Sequence, residues 1–358
     1  MELRDAVNRV LLNTEEVITE KELTEVLLRK DVRGYIGFEP SGLIHIGWLI
    51  WARKVQDLID AGVEMIILAA TWHAWINDKL GGDMKLIKDA ARMTWHFLNA
   101  VGVNMKRVNF VDSEELVSDD KYWMLVLKVA KKLTLARVKR AITIMGRHEE
   151  EANLDFSKLI YPCMQVADIF YLNLDIALGG MDQRKAHVLA REIAPKLGYK
   201  KPIAIHTPLL IGLRGTETKG DIVETKMSKS KPESCIFIHD EPKVIREKIK
   251  KAYCPPRQVE GNPILEINRL ILFSREDFSL YIDRPAKYGG PLHIESYEKL
   301  AEMYKAGKIH PLDLKEATAR ALAEELKPIR NYIKENPEVN GILKRLEEII
   351  ERREIKLR

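Results

Sequence analysis

The sequence predicts an α/β fold, built on a doubly wound parallel sheet with a helical insertion and followed by a helical C-terminal region. Three observations carry this expectation. The continuous apolar run at 65–70, Met-Ile-Ile-Leu-Ala-Ala, reads as a strand buried on both faces. Helical periodicities separate it from the other strand candidates, so strand and helix alternate from residue 35 to about 206. Beyond about Pro242 the pattern is mostly helical, with breaks near Pro255-Pro256 and Gly289-Gly290.

Taken in order, residues 1–34 read as helix and linker, with Leu23, Val26 and Leu27 at helical spacing. A short strand at 35–38 ends in the loop signal Glu39-Pro40-Ser41-Gly42. Trp48, Trp51, Ala52, Val55 and Ile59 form the apolar face of a helix that Gly62 closes. After the buried strand come a long helix over about 83–100 and a strand at 107–111. From about 114 to 158 a basic helical pattern interrupts the alternation and reads as an insertion. The alternation resumes with a helix at 161–171, a strand near 175–178, a helix at 183–197 and a strand at 203–206.

The 358 residues suit two domains, and a 46% hydrophobic content supports a sizeable core. Lys and Arg number 58 against 53 Asp and Glu, a net charge of +5, which permits nucleic-acid binding without establishing it. Three cysteines, Cys163, Cys235 and Cys254, lack metal-ligand spacing, and their odd, sparse number points to a reducing cytoplasm rather than a disulfide framework. No signal peptide or membrane-length apolar run is evident.

Four segments carry candidate chemistry. Glu39 to Gly47 (EPSGLIHIG) delivers His45 and Gly47 to the start of a helix, where free N–H groups and the dipole suit phosphate. A polar loop with an incidental histidine is the plain alternative for His45. Lys226-Met227-Ser228-Lys229-Ser230 puts two lysines in one short polar loop, able to neutralise a triphosphate; a solvated surface loop is the alternative. In the stretch 161–170, Pro162 suits a helix's first turn, and Tyr161, Gln165 and Asp168 fall on one face among apolar neighbours. Such a polar stripe either faces water or, if buried, needs partners. Gly179-Gly180-Met181-Asp182-Gln183 follows a strand and opens a helix, so its glycines permit close approach of a nucleotide, although Gly-Gly before a helix is often only a turn.

The pairing of His-Ile-Gly after the first strand with Lys-Met-Ser-Lys-Ser after the last resembles the signature of class I aminoacyl-tRNA synthetases. Nearly the whole chain is similar to the archaeal and eukaryotic-type tyrosyl branch of that family. The first motif departs from the family at Trp48, where a second histidine is usual. The resemblance implies ATP-dependent activation of L-tyrosine to tyrosyl-adenylate, then transfer to tRNA(Tyr), by a cytoplasmic homodimer using ATP with Mg²⁺ and no tightly bound cofactor. It implies that His45, Lys226 and Lys229 are catalytic. Gly37, Gly47, Gly180, Asp182, Met227, Ser228 and Ser230 would meet ATP. Tyr35 and Asp168 would bracket the tyrosine hydroxyl, while Tyr161, Gln165 and Gln183 hold the ammonium and His73 lines the pocket. For His73 a satisfied core histidine is the alternative.

The basic residues Lys128, Lys131, Lys132, Arg137, Lys139, Arg140 and Arg147 lie in the insertion. The resemblance gives it the dimer interface and the tRNA acceptor end, with Arg137 and Arg140 as contacts. It gives Tyr288, His310 and Asp313 to the anticodon. Their structural alternatives are a core aromatic for Tyr288 and helix capping for the other two. The implied domains are an N-terminal segment (1–34), a Rossmann-like catalytic domain (35–214, with the insertion at about 114–160), the KMSKS loop and linker (215–241), and a helical anticodon-binding domain and tail (242–358). Rival readings are a tryptophanyl-tRNA synthetase, a catalytically inactive RNA-binding relative and a small-molecule nucleotidylyltransferase. The last would have no use for the Tyr288 and His310 region.

Overall fold

A computed structural model describes residues 2–146, 155–215, 225–229, 232–275 and 277–356. Helix α1 (Leu3–Leu11) leads to a three-residue strand β1 (Glu16–Ile18) and helix α2 (Glu20–Leu27). Thr19 starts α2 in a capping box: its hydroxyl accepts from Glu22 N at 3.3 Å, and its own N–H donates to the Glu22 carboxylate at 3.2 Å. Strand β2 (Arg33–Phe38), helix α3 (Trp48–Asp60), strand β3 (Glu64–Ala69), helices α4 (Thr71–Ile76) and α5 (Met84–Val101) and strand β4 (Val108–Asp112) follow. Asp83 caps α5 by accepting from Lys85 N and Leu86 N at 2.9 and 3.2 Å. The helix stops at Gly102, whose φ of 93° lies in the left-handed region.

The insertion contains α6 (Ser113–Val117), α7 (Asp120–Ala130) and α8 (Leu135–Ala141). Then come α9 (Ser157–Tyr171), β5 (Ile176–Gly180), α10 (Arg184–Leu197) and β6 (Ile203–Thr207). Helix α9 starts four residues before the expected position, so Pro162 sits in its interior rather than its first turn. Upstream of it, ion pairs tie down the first turn, where Lys158 Nζ meets Asp78 at 2.8 Å and also pairs with Asp155.

The six strands order as β1-β6-β5-β2-β3-β4. All neighbours are parallel except β1, which runs antiparallel to β6, so the expected all-parallel sheet is a mixed one. The order of strand addition reverses between β2 and β5, which are themselves parallel: β3 and β4 are added on one side, β5 and β6 on the other. In such sheets ligands bind beyond the carboxyl ends of the strands at this switch point. Tyr35 stands there in β2, in register with Ile66 of β3 and Ala177 of β5. The core beneath joins Leu68, Leu125, Met164, Ala177 and Ala186.

The chain forms two compact units. One comprises Met1–Gly42, Trp51–Pro208 and Gly341–Arg358; the other, Leu43–Ile50 and Leu209–Asn340. The units therefore interleave in sequence: the segment with His45 joins the second unit, and the chain end joins the first. In the first unit Arg345, on the last helix, donates to the buried Asp89 carboxylate at 2.8 Å. The second unit holds helices Pro242–Lys251, Pro263–Ile267, Tyr297–Lys305 and Pro311–Glu335. It also contains an antiparallel pair, β7 (Leu280–Ile282) and β8 (Leu292–Ile294), a small sheet within the region expected to be mostly helical. Among the described residues no helix is long and apolar enough to cross a membrane.

Candidate active site

The polar stripe of α9 faces inward. Tyr161, Gln165 and Asp168 are all buried, so the alternative of a solvated face is excluded. Asp168, 1% exposed, is the centre of a polar pocket in the first unit. Its Oδ1 accepts from the Tyr122 hydroxyl at 2.7 Å. Its Oδ2 lies 3.2 Å from His73 Nε2, although the approach is too oblique for an aligned hydrogen bond. Burial, and then the Asp168 charge, hold the Tyr35 and Tyr122 hydroxyls well above the ordinary tyrosine pKa, so both remain neutral donors. A Cβ at Gly37 would collide with the Tyr35 hydroxyl, which explains the glycine two residues along the strand.

Around this carboxylate the other expected tyrosine ligands assemble. His73, on α4, meets Tyr161 edge-on at 4.9 Å between ring centroids. Burial, and then the Glu39 charge, raise the Tyr161 hydroxyl well above the ordinary tyrosine pKa. Glu39 is itself anchored by Asn77 Nδ2 at 2.9 Å and Lys79 at 3.2 Å. Gln165 Nε2 donates to Gln183 Oε1 at 3.0 Å, and Gln183 Nε2 to the Ile144 carbonyl at 3.2 Å. The Gln165 carbonyl oxygen is buried with no protein donor, an acceptor suited to an ammonium group.

Gly179 and Gly180 end β5 at the switch point, and Asp182 is half-buried in the single turn Met181–Gln183. A Cβ on Gly179 would lie 2.9 Å from both Gln183 and His187, so close packing requires glycine there. Behind this turn runs a buried relay. His187 Nδ1 is 3.0 Å from His206 Nε2, and His206 Nδ1 is 2.8 Å from Glu16, which Arg184 also grips. Burial, then the neighbouring His206, push His187 down to about 3.

The second unit brings the other two motifs together. His45 makes an isolated bridge with Phe237, and its Nδ1 accepts from Gly47 N at 3.2 Å, which leaves the Nε2 position for the ring proton. A Cβ on Gly47 would press against the same ring at 2.9 Å. Burial, and then the charges of Lys229 and Lys226, push His45 down to about 3, so the ring is neutral. Residues 225–229 are not merely a solvated loop. Lys226 bridges to Ile211, Met227 N donates to the Leu210 carbonyl at 2.7 Å, and Met227 is buried. Lys229 Nζ sits 5.0 Å over the Trp48 ring. Ser228 is half-buried; Ser230 and Arg147 lie outside the described residues.

Residues 28–327 match the family described as tRNA synthetases class I (W and Y). The chain is 56% identical over 356 residues to the tyrosine–tRNA ligase of Aeropyrum pernix, covering 97% of this chain and 98% of that one. It belongs to the class I tyrosyl-tRNA synthetases. A second relative, the tyrosine–tRNA ligase of Sulfurisphaera tokodaii, is 53% identical over 98% of this chain and 99% of its own. The crystal structure of tyrosyl-tRNA synthetase from Aeropyrum pernix superposes with a TM-score of 0.89 at 52% identity, over 97% of this chain and all of that one. That of the Pyrococcus horikoshii enzyme complexed with L-tyrosine gives 0.90 at 42% identity, over 96% of this chain and all of that one.

In this synthetase the residues expected to meet tRNA are mostly accessible. Arg140 is exposed on α8, and Arg137 pairs with Glu192 of α10. Tyr288 is exposed in the β7–β8 connection with Lys287 Nζ 4.9 Å over its ring, so it is not a core aromatic. His310 does cap helix Pro311–Glu335, accepting from Leu312 N at 3.2 Å, and Asp313 lies in that helix's first turn. Sequence reasoning missed Tyr122 and Glu39 as pocket residues. Tyr122 shares a helical stripe with Leu125, Val126 and Val129 and reads there as a core aromatic; only its hydroxyl hinted at more.

Proposed function

We propose that the residues assembled above divide between them the work of a tyrosine–tRNA ligase. The activity is that of the family: the chain joins L-tyrosine to ATP as tyrosyl-adenylate and then charges tRNA. The observation that carries our assignment of residues is the buried Asp168 carboxylate ringed by aromatic hydroxyls. Asp168 accepts the substrate's phenol proton and Tyr35 donates to the same oxygen, with His73 lining the pocket. Tyr161, Gln165 and Gln183 hold the ammonium. Phenylalanine leaves those groups dry and unpaired, which is costly in a buried site. An indole N–H fits this carboxylate less well than a phenol, which places tryptophan second.

The substrate carboxylate is a nucleophile at neutral pH and needs no general base. It attacks the α-phosphorus in line, and pyrophosphate leaves with the electron pair of the broken P–O bond. His45 donates from Nε2 to a phosphate oxygen, and Lys226 and Lys229 neutralise the departing pyrophosphate. Gly37, Gly47, Gly180, Asp182, Met227 and Ser228 shape the nucleotide's surroundings. Mg²⁺ arrives on the triphosphate as part of the substrate. A terminal ribose hydroxyl of tRNA then attacks the anhydride carbonyl and AMP leaves.

The insertion at about 114–160 carries the dimer interface and acceptor-end contacts through Arg137 and Arg140. Its helix α7 supports this reading, because it turns Trp123, Met124 and Leu127 outward while basic residues flank them. Tyr288, His310 and Asp313 read the anticodon from the region beyond residue 242. The deciding experiment is ATP–pyrophosphate exchange with each of the twenty amino acids. Exchange with tyrosine alone is expected; equal exchange with tryptophan or phenylalanine refutes the pocket assignment.

A further inference from the structure

An indole stands at residue 48 where the family's first motif usually carries an imidazole, and in this fold that indole has a specific neighbour. Lys229 Nζ lies 5.0 Å from the centroid of the Trp48 ring, within the range of a cation–π contact. Both ends of the contact are anchored. Trp48 N donates to the His45 carbonyl at 3.0 Å as α3 begins, and the lysine loop is pinned two residues upstream, where Met227 N meets the Leu210 carbonyl. Lys226 and Lys229 bring positive charge to this corner, and burial first, then those charges, hold His45 neutral. A neutral histidine at 48 would offer the lysine a smaller and poorer π face than an indole. An indole cannot ionise in this range, and its π face attracts an ammonium group.

We propose that Trp48 is a positioning residue for Lys229: its ring face holds the ammonium over the start of α3, where the lysine meets the leaving pyrophosphate. The inference rests on the role given to Lys229 above. Trp48 itself touches no reacting atom. Its effect should therefore follow the strength of the π face rather than the bulk of the side chain, and should vanish when the lysine is gone.

The test is a double-mutant cycle on the full-length chain, read by ATP–pyrophosphate exchange with Trp48→Leu, Trp48→Phe, Lys229→Ala and the two combinations. Trp48→Leu should lower kcat by about two- to thirty-fold, the range of a cation–π contact, and leave KM for tyrosine unchanged. Trp48→Phe should recover part of the loss. In the Lys229→Ala background neither substitution at 48 should cost anything further. If Trp48→Leu does not fold, the phenylalanine variant alone completes the cycle. Losses that add independently, or a leucine variant as fast as the unaltered enzyme, overturn the inference while leaving Lys229 in place. If Lys229→Ala exchanges normally, the reading of Lys229 falls first and takes this one with it.

Discussion

The selectivity proposed for Asp168 rests on what surrounds it. The carboxylate is 1% exposed, with one oxygen accepting from Tyr122 and the other 3.2 Å from His73 Nε2 without an aligned hydrogen bond, and the substrate phenol proposed above would be its further donor. Truncation by Asp168→Ala removes that acceptor. The preference for tyrosine over phenylalanine should then fall from about 10⁴–10⁵-fold, the range for which this enzyme class is itself the standard example, toward unity. Exchange assays with both amino acids measure it, and unchanged discrimination would take Asp168 out of the pocket. In the proposed mechanism Lys229 acts on charge that develops only as pyrophosphate departs. Lys229→Ala should therefore cut adenylate formation by about 10²-fold and leave tyrosine affinity nearly unaltered, as equilibrium binding beside exchange kinetics would reveal. The residue 168 stripe was visible in the sequence because i, i+4 and i+7 spacing is local. Tyr122 was not, because its hydroxyl reaches Asp168 from a different helix, 46 residues away.

At the scale of elements, long apolar runs and well-capped helices were legible and very short strands were not. Helix α5 follows from Asp83 at one end and Gly102 at the other. Asp83→Ala leaves two N–H groups without their cap and should cost about 1 kcal/mol. Chemical denaturation would report this, with kcat unchanged because the cap lies outside the pocket. Strand β1 and the β7–β8 pair have three residues each, too few for a two-residue alternation to stand out. Their existence is decided by partners: β1 by the free edge of β6, β7 and β8 by each other. The start of α9 was misjudged for a related reason. Pro162 is a local signal for a helix's first turn, but packing extends the helix upstream of it.

For the molecule as a whole, buried neutral histidines make stability depend on pH. His187 is held down at about 3, below the value near 6.5 of an unfolded chain, because it is buried against His206. The unfolded chain takes up that proton below pH 6.5 and the native one does not, so stability is full above about 6.5 and declines as pH falls toward 3. At pH 5 the loss from this one group is about 2 kcal/mol. Urea titrations at pH 7.5 and 5 should show it, and His187→Gln should reduce the difference by about that amount, leaving the share of His45, which is held equally low; an unchanged difference would assign the effect elsewhere. The proposed self-association is also tested at this scale. Trp123, Met124 and Leu127 are 38%, 54% and 68% exposed on one helix of a single chain, a face that a second copy would cover. Leu127→Glu should shift sedimentation from dimer to monomer, while a dimer that survives the charge would place the interface on another surface.

By itself the sequence determined the alternation of strand and helix, the two lysine- and histidine-bearing motifs proposed to meet phosphate, and the polar stripe of Tyr161, Gln165 and Asp168 on α9. All of these rest on spacings of a few residues, which propensity and periodicity encode directly. Only the tertiary structure decided the reversal between β2 and β5, the inward face of α9, the hydroxyl that Tyr122 brings to Asp168 and the indole beneath Lys229. Those depend on contacts between segments far apart in the chain. Such contacts form when burial of apolar surface outweighs the entropy of closing the intervening loops, a balance that no local pattern contains.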